Sequence, residues 1–465
     1  MSILQKKPPG IATLTSTARS VLERDFFSRL RRLLKGRDKK RKRTRAVPAD
    51  PAIVDSARLN FKKVYRQDVM PASLRWEAFR ERIQQYIEKA QTPEEVIFYA
   101  QKYVEFDHRA PDTIEKINLY GRTLADEFGP FYGRFSSMGD SSYSLPHTLF
   151  RHKKRGVISN VFFYHLRYLL FCLAYIKEPR TICEVGGGYG SVARLWLKNP
   201  VYKPSIYVIV DFAECLFFAE VFLRVNIKEL DILYVTSEAP LDTASLKAQT
   251  VILCPIANIK ALSGLNFDLV INTGSMQEMP ESWVDFWMNW LKNQNCRYFY
   301  SLNSFAHPLE NMKEMVNAWS PRLSPEWMIR LQRFDPPFVK QQGAYRFAEI
   351  LAEKIHRNVT DPVTLAARYD ATKQRYMDGQ LLLECMDVVR LYPREDIVWD
   401  LLKRCHSEMK PIPKEAYWLA CYLSSLASTA FKEKRGAEFE QIWSDLKNLR
   451  TGGREDVFKN NLPVF

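Results

Sequence analysis

Cys183-Glu184-Val185-Gly186-Gly187-Gly188-Tyr189-Gly190 follows an apolar run and precedes a helix-like segment, residues 191–198. A carboxylate and then glycines at alternate positions, set between a strand and a helix, form the local geometry that holds a nucleotide-like ligand. Gly186 and Gly188 permit positive φ and let the backbone approach a ligand with no Cβ in the way. Glycines also close ordinary strand-to-helix turns, so the residues around this turn decide its meaning.

Working outward, short β-rich runs separated by helical stretches begin at residue 181. Strands are expected at 181–185, 205–210, 232–235, 251–255, 267–272 and 297–303. Strands alternating with helices imply a parallel sheet covered on both faces. Residues 327–334 and 344–352 are expected to pair across Pro336-Pro337 as an antiparallel edge hairpin. The expected fold is therefore α/β and Rossmann-like, a mostly parallel sheet with an antiparallel edge hairpin, occupying residues 179–358. Residues 51–178 mix aromatic and charged residues without strand alternation and read as a helical region, with helices at 74–90 and 93–106 and a turn-rich interruption at 129–146. Residues 359–465 read as a C-terminal helical module, with helices at 379–391, 397–408, 415–434 and 437–449.

A chain of 465 residues exceeds one core and implies two to four structural units at roughly 100–200 residues each. Eight cysteines are scattered without a Cys-x-x-Cys pair, which reads as reduced, buried thiols in a cytoplasmic protein and argues against a zinc site. The longest apolar stretch, residues 161–176, contains His165 and Arg167 and falls short of the roughly 20 residues of a membrane span, so it reads as a buried helix. The amino terminus lacks the residue order of a secretion signal.

Charge is concentrated at one end. Residues 1–50 carry 15 Lys and Arg against four acids, so +11 of the net +15 lies on this arm and about +4 on the rest. Within it, residues 21–34 place Val21, Leu22, Phe26, Phe27, Leu30, Leu33 and Leu34 at helical spacing among arginines, a basic amphipathic helix suited to an anionic bilayer. Residues 39–45 add a basic run that strengthens attachment to acidic lipid or contacts nucleic acid. A solubilising tail is the plainer reading. Peripheral association with the inner face of the membrane through residues 21–45 is the expectation.

Asp211 ends the second expected strand, 21 positions after Gly190, where an acid accepts hydrogen bonds from a ribose diol. NAD and S-adenosylmethionine both need that contact. Glu184, two residues before the first glycine, suits the amino-acid end of S-adenosylmethionine, and Ser191 stands where a dinucleotide site would have its third glycine. A strand-end carboxylate and a helix-capping aspartate are the alternative roles for this pair.

Three blocks carry a resemblance: Glu184 to Gly190, Asp211, and Phe267-Asp-Leu-Val-Ile-Asn-Thr-Gly-Ser-Met-Gln-Glu-Met279. Over residues 145–355 the chain resembles the sugar O-methyltransferase family of bacterial surface-glycan loci, within the class I S-adenosylmethionine-dependent methyltransferases. The resemblance implies methyl transfer to a hydroxyl of a saccharide, nucleotide-linked or lipid-linked. It implies that Glu184, Gly186, Gly187, Gly188, Tyr189, Gly190, Asp211 and Asn272 face the cofactor.

A sugar hydroxyl is weakly acidic, so its methylation needs in-line positioning and a group that removes the proton. Glu278 is the first candidate for general base; orienting the substrate or complementing a helix dipole are its other roles. His307, in Ser301-Leu-Asn-Ser-Phe-Ala-His307, is the second, since neutral imidazole suits proton removal near pH 7; a loop histidine before Pro308 is the plainer reading. Ser275 and Gln277 are candidates to bind the sugar, or they serve the local turn. Glu278, Asp268 and Asp211 are the available oxygen ligands for a divalent metal, though no compact acidic cluster calls for one. Asp335-Pro336-Pro337-Phe338 has the form of an adenine-amino methyltransferase tetrapeptide, but it follows an edge strand where the buried fourth strand is required. A methyltransferase fold acting only as a scaffold is the remaining alternative.

Overall fold

A computed structural model of the chain describes residues 48–65, 74–101, 113–144, 148–306, 327–334 and 346–354, with single positions at 363 and 437. The arm helix and basic run at 21–45, His307, the 335–338 tetrapeptide and the C-terminal helices lie outside the described residues. Among the described residues, no helix is long and apolar enough to cross a membrane.

Helices Ala52–Val64 (α1), Leu74–Lys89 (α2), Pro93–Tyr99 (α3) and Ile114–Phe128 (α4) come first, followed by the single turn Pro130–Gly133 (α5). Their ends follow capping rules. Thr92 and Thr113 accept from Glu95 N and Lys116 N, and Pro93 opens α3 with the φ a first helical turn needs. Strands Phe150–His152 (β1) and Gly156–Ile158 (β2) then form a small antiparallel hairpin, which corrects the expectation of a purely helical region. Three residues per strand are too few to show alternation in the sequence. Helix Asn160–Tyr175 (α6) starts on a Ser159 cap and is buried along most of its length, as expected of the 161–176 stretch.

The sheet region alternates as its sequence suggests: Thr181–Val185 (β3), Ser191–Lys198 (α7), Ile206–Asp211 (β4), Ala213–Asn226 (α8), Ile232–Tyr234 (β5), Thr250–Pro255 (β6), Phe267–Thr273 (β7), Glu281–Asn293 (α9), Cys296–Ala306 (β8), Trp327–Phe334 (β9) and Arg346–Lys354 (β10). They make one eight-stranded sheet in the order β5-β6-β4-β3-β7-β8-β10-β9. The first six strands are parallel; β10 lies antiparallel between β8 and β9. The Rossmann-like parallel sheet and the antiparallel edge hairpin are both present.

Side-chain alternation splits the core in two. Ile182, Tyr207, Ile209, Leu269 and Ile271 face α6, α7 and α8. Cys183, Val208, Val210, Ile252 and Val270 face α9 and the 3-10 stretch Ile256–Gly264. Because both faces are covered, the strands carry nearly unbroken apolar runs.

Two features go beyond a bare α/β sandwich. Residues 213–223 of α8 are buried on every side, because α1, α2 and α3 lay a further helical layer over it. Tyr86 and Tyr99 of that layer stack on each other at 3.8 Å and on Phe218 of α8. The second is an ionic clasp. Arg167 of α6, with no exposure, donates to both oxygens of Glu349 on β10 at 2.8 Å and of Glu127 on α4 at 3.1 Å, while Tyr300 of β8 donates to Glu349 at 2.7 Å. It ties α4 and α6 to the antiparallel edge of the sheet.

The strand order places the functional region. From β3 the chain builds outward through β4 and β6, then crosses to the other side of β3 with β7. Outside the carboxyl ends of β3, β4 and β7 the connections diverge, and ligands of open α/β sheets bind in such a crevice.

Candidate functional site

The glycine turn is built at that crevice. Gly186, with φ 73°, donates its N–H to Val210 O at 2.8 Å, tying the turn to the end of β4. A Cβ at Gly186 would stand 2.2 Å from Ser275 Oγ, so the turn after β3 and the loop after β7 touch only because this position has no side chain. Gly190 caps α7 in the left-handed conformation. Gly186 and Gly188 keep a half-exposed surface, whereas Gly187 and Gly190 are buried: a Cβ at Gly187 would meet Ile209 at 2.8 Å.

Asp211 closes the cradle from β4. Its carboxylate, 7% exposed, accepts from Gly188 N at 2.8 Å and from Phe212 N at 2.7 Å. Burial pushes its pKa up to about 6; the two amides and the Cys215 thiol hold it down, and the neighbouring Glu214 adds to the rise. The carboxylate is thus desolvated and already joined to the glycine turn. Glu184 lies beneath the turn, 2% exposed, and accepts from Tyr207 Oη at 2.8 Å.

Two expected cofactor residues have their side chains turned inward. Tyr189 is 1% exposed, packed edge-to-face on Phe222 at 4.8 Å, with its Oη accepting from Gln101 Nε2 at 3.4 Å; the ring belongs to the core, and only the backbone at 189 belongs to the turn. Asn272 has no exposure at all. Its Nδ2 donates to Val185 O at 3.0 Å and Ser275 Oγ at 2.6 Å, and its Oδ1 accepts from Asn303 Nδ2 at 2.9 Å and Met276 N at 3.3 Å. With these four bonds made it shapes the loop.

The loop so shaped carries the candidates for substrate chemistry. Ser275 and Gln277 are half-buried, and Gln277 N donates to Asn303 Oδ1 at 3.3 Å. Glu278 ends the short 3-10 turn Met276–Glu278 and is half-buried. It stands before α9, whose N-cap is Pro280, so it is not the capping residue of that helix. Asp268 is removed from this group. Near the amino end of β7 it accepts from Arg180 N and Thr181 N at 2.7 and 2.9 Å, at the opposite edge of the sheet from Asp211 and Glu278. The three carboxylates available as oxygen ligands therefore do not converge, and among the described residues no group of three side chains suits a metal ion.

The residues present fit an adenosyl cofactor. Gly186 and Gly188, both at positive φ, offer half-exposed backbone, and Asp211 offers a carboxylate for a diol. The first turn of α7, where a pyrophosphate would sit, is instead covered: Ser191 is 7% exposed and its Oγ bonds His165 Nδ1 of α6 at 2.8 Å. The core is a Rossmann-like α/β fold.

No family model matches the sequence, and no curated protein matches it. Among solved structures, the chain is similar to the 16S rRNA methylase ArmA (14% identity over 41% of this chain and 82% of that one, TM-score 0.25). It is similar to magnesium protoporphyrin IX methyltransferase from Synechocystis PCC 6803 with bound S-adenosylhomocysteine (11%, 42% and 84%, 0.27). It is also similar to TrmK of M. capricolum in complex with S-adenosylhomocysteine (13%, 61% and 95%, 0.27).

Sequence reading missed two contributors. Asn303, 1% exposed, locks Asn272 from β8; its signal was its place at the end of an expected strand. Arg80 of α2 lies over the Phe212 ring at 4.8 Å and donates to Glu214 at 2.8 Å. Nothing local marks it, since the pair is 134 residues apart.

Proposed function

We propose that the chain is an S-adenosylmethionine-dependent O-methyltransferase acting on a sugar hydroxyl of a surface-glycan precursor. The observation that carries the cofactor is the hydrogen bond between Gly188 N and Asp211 at a half-exposed glycine turn. It sets a carboxylate for the ribose hydroxyls against bare backbone for the rest of the ligand. Glu184, beneath the turn, is assigned to the amino-acid end. The saccharide rests on the resemblance of the three sequence blocks.

When bound, the cofactor supplies an electrophilic methyl group on a sulfonium, which departs as a neutral thioether. The chain's own residues do the rest. Asp211 and the backbone of residues 186–190 hold the nucleoside. Asn272 and Asn303 brace the loop 273–279 against Val185 O, so that Ser275 and Gln277 meet the acceptor. Glu278 takes the proton from the acceptor oxygen as its bond to carbon forms, and His307 is the second candidate for that step. Residues 21–45 bring the enzyme to an anionic membrane, which suits a lipid-linked acceptor.

Binding of radiolabelled S-adenosylmethionine, lost in Asp211→Ala, tests the cofactor; a parent protein that binds none refutes the reading. Mass spectrometry of candidate glycans after incubation tests the acceptor. Liposome sedimentation that is unchanged on deleting residues 1–45 removes the membrane assignment.

A further inference from the structure

The amino-terminal helical layer touches the candidate site at one charged point. Arg80 Nε donates to Glu214 Oε1 at 2.8 Å, and the guanidinium carbon lies 4.8 Å from the Phe212 ring centroid. Glu214 has no exposure, and its Oε2 is buried with no hydrogen-bond partner. A buried carboxylate without its cation is strongly unfavourable. Phe212 and Glu214 are the first and third residues after Asp211, so the same guanidinium bears on the ring next to the ribose acid and on the charge nearest to it.

We propose that Arg80 is a positioning residue of the adenosyl site: by neutralising Glu214 and lying on Phe212, it keeps the Asp211 carboxylate ionised and aimed at the ribose. This rests on the cofactor reading above. The groups around Asp211 support it. The glycine turn contributes amides only, and β6 sets Pro255 opposite Asp211 in register. On α8, Glu214 favours the protonated acid, and the Cys215 thiol bonds the carboxylate. Arg80 is the cation that acts on Cys215 from the facing helix, and Tyr65 and Glu81 share its surroundings. Without Arg80, Glu214 is a buried carboxylate left with no cation, three residues from Asp211.

The test is calorimetric binding of S-adenosylhomocysteine between pH 5.5 and 8.5. Arg80→Met keeps an apolar group on Phe212 and removes the charge. Its affinity is expected to match the parent at pH 8.5 and to fall early on the acid side, with the midpoint moved up by about one pH unit and about tenfold lost per pH unit below it. Arg80→Lys restores most of the profile. Should Arg80→Met fold poorly, the double variant Arg80→Met/Glu214→Gln, which carries no stranded acid, is expected to fold and to regain the parental midpoint. A loss that is equal at every pH marks a packing role and overturns the proposal, as does an unchanged profile in a parent that binds. A parent that binds at no pH overturns the cofactor reading itself, and this inference with it.

Discussion

Replacing Asp211 by asparagine should remove a pH-dependent cost from the ligand-free protein while abolishing the proposed cofactor site. Asp211 is 7% exposed, and burial raises its pKa from 3.8 to about 6, a value that already sets the Gly188 and Phe212 amides against desolvation. A carboxyl group whose folded-state pKa lies above its unfolded value binds its proton more tightly when folded. Its contribution is fully present below about pH 4 and is lost as pH rises through about 6. The displacement corresponds to about 3 kcal/mol at neutral pH. Asparagine is neutral like the protonated acid, so the variant escapes that loss, but its amide nitrogen faces the Gly188 or the Phe212 N–H where a carboxyl oxygen accepts, a pH-independent cost of about 1–3 kcal/mol. Urea denaturation at pH 4, 5, 6 and 7 should show the variant behind the parent by that cost at pH 4 and gaining about 3 kcal/mol on it between pH 4 and pH 7. Titration with S-adenosylhomocysteine should show its affinity gone, because the amide offers the ribose one acceptor oxygen in place of two. A difference between the two proteins that stays constant from pH 4 to pH 7 would refute the reasoning: the amides would then hold the carboxylate ionised at little cost.

Gly186→Ala forces a side chain into φ 73° and onto Ser275 Oγ at 2.2 Å. Left-handed strain of about 1–2 kcal/mol and overpacking of about 1–3 kcal/mol should appear as a lower denaturation midpoint, and adding Ser275→Gly should recover only the second part. Arg167→Met strands Glu349, which has no exposure, beside Glu127. A loss of about 3–5 kcal/mol, roughly 10 °C in Tm, is expected by calorimetry, and Glu349→Leu in the same chain should return most of it. Glu278→Gln should lower kcat by about 10² to 10⁴ while leaving S-adenosylhomocysteine affinity unchanged; a fall in affinity instead would move Glu278 from proton transfer to cofactor binding.

The sheet was legible because its information is local. Strands buried on both faces must be apolar along their whole length, and a glycine turn between strand and helix follows from backbone sterics. Asp211 was legible for the same reason, as the last residue of such a strand. The direction of side chains at the turn was not. Whether Tyr189 or Asn272 faces a ligand or the core depends on Phe222, Val185 and Asn303, partners 33, 87 and 31 residues away. Asp268 is the sharpest case. It shares β7 with Asn272, but the direction of the strand puts it at the amino edge, where it accepts the Arg180 and Thr181 amides. An acid's distance from a motif in sequence says little unless the end of the strand that carries it is known.

Helix α8 shows what the same logic reveals when a local rule is broken. A helix on the outside of a doubly covered sheet should be amphipathic, yet residues 213–223 are buried throughout, Glu214 and Glu220 among them. An apolar helix containing two buried acids implies a further layer that supplies both hydrophobic cover and charge partners. The amino-terminal helices provide the cover, Tyr86 and Tyr99 over Phe218, and the cation for one acid, Arg80 on Glu214; Glu220 takes Asn60 at 3.2 Å from that layer and Arg224 of α8 itself at 2.8 Å. Those helices therefore complete the Rossmann-like core instead of decorating it. Because α8 begins immediately after Asp211 and Phe212, the layer that solves a packing problem on the outside of the sheet also reaches the edge of the glycine turn and its aspartate.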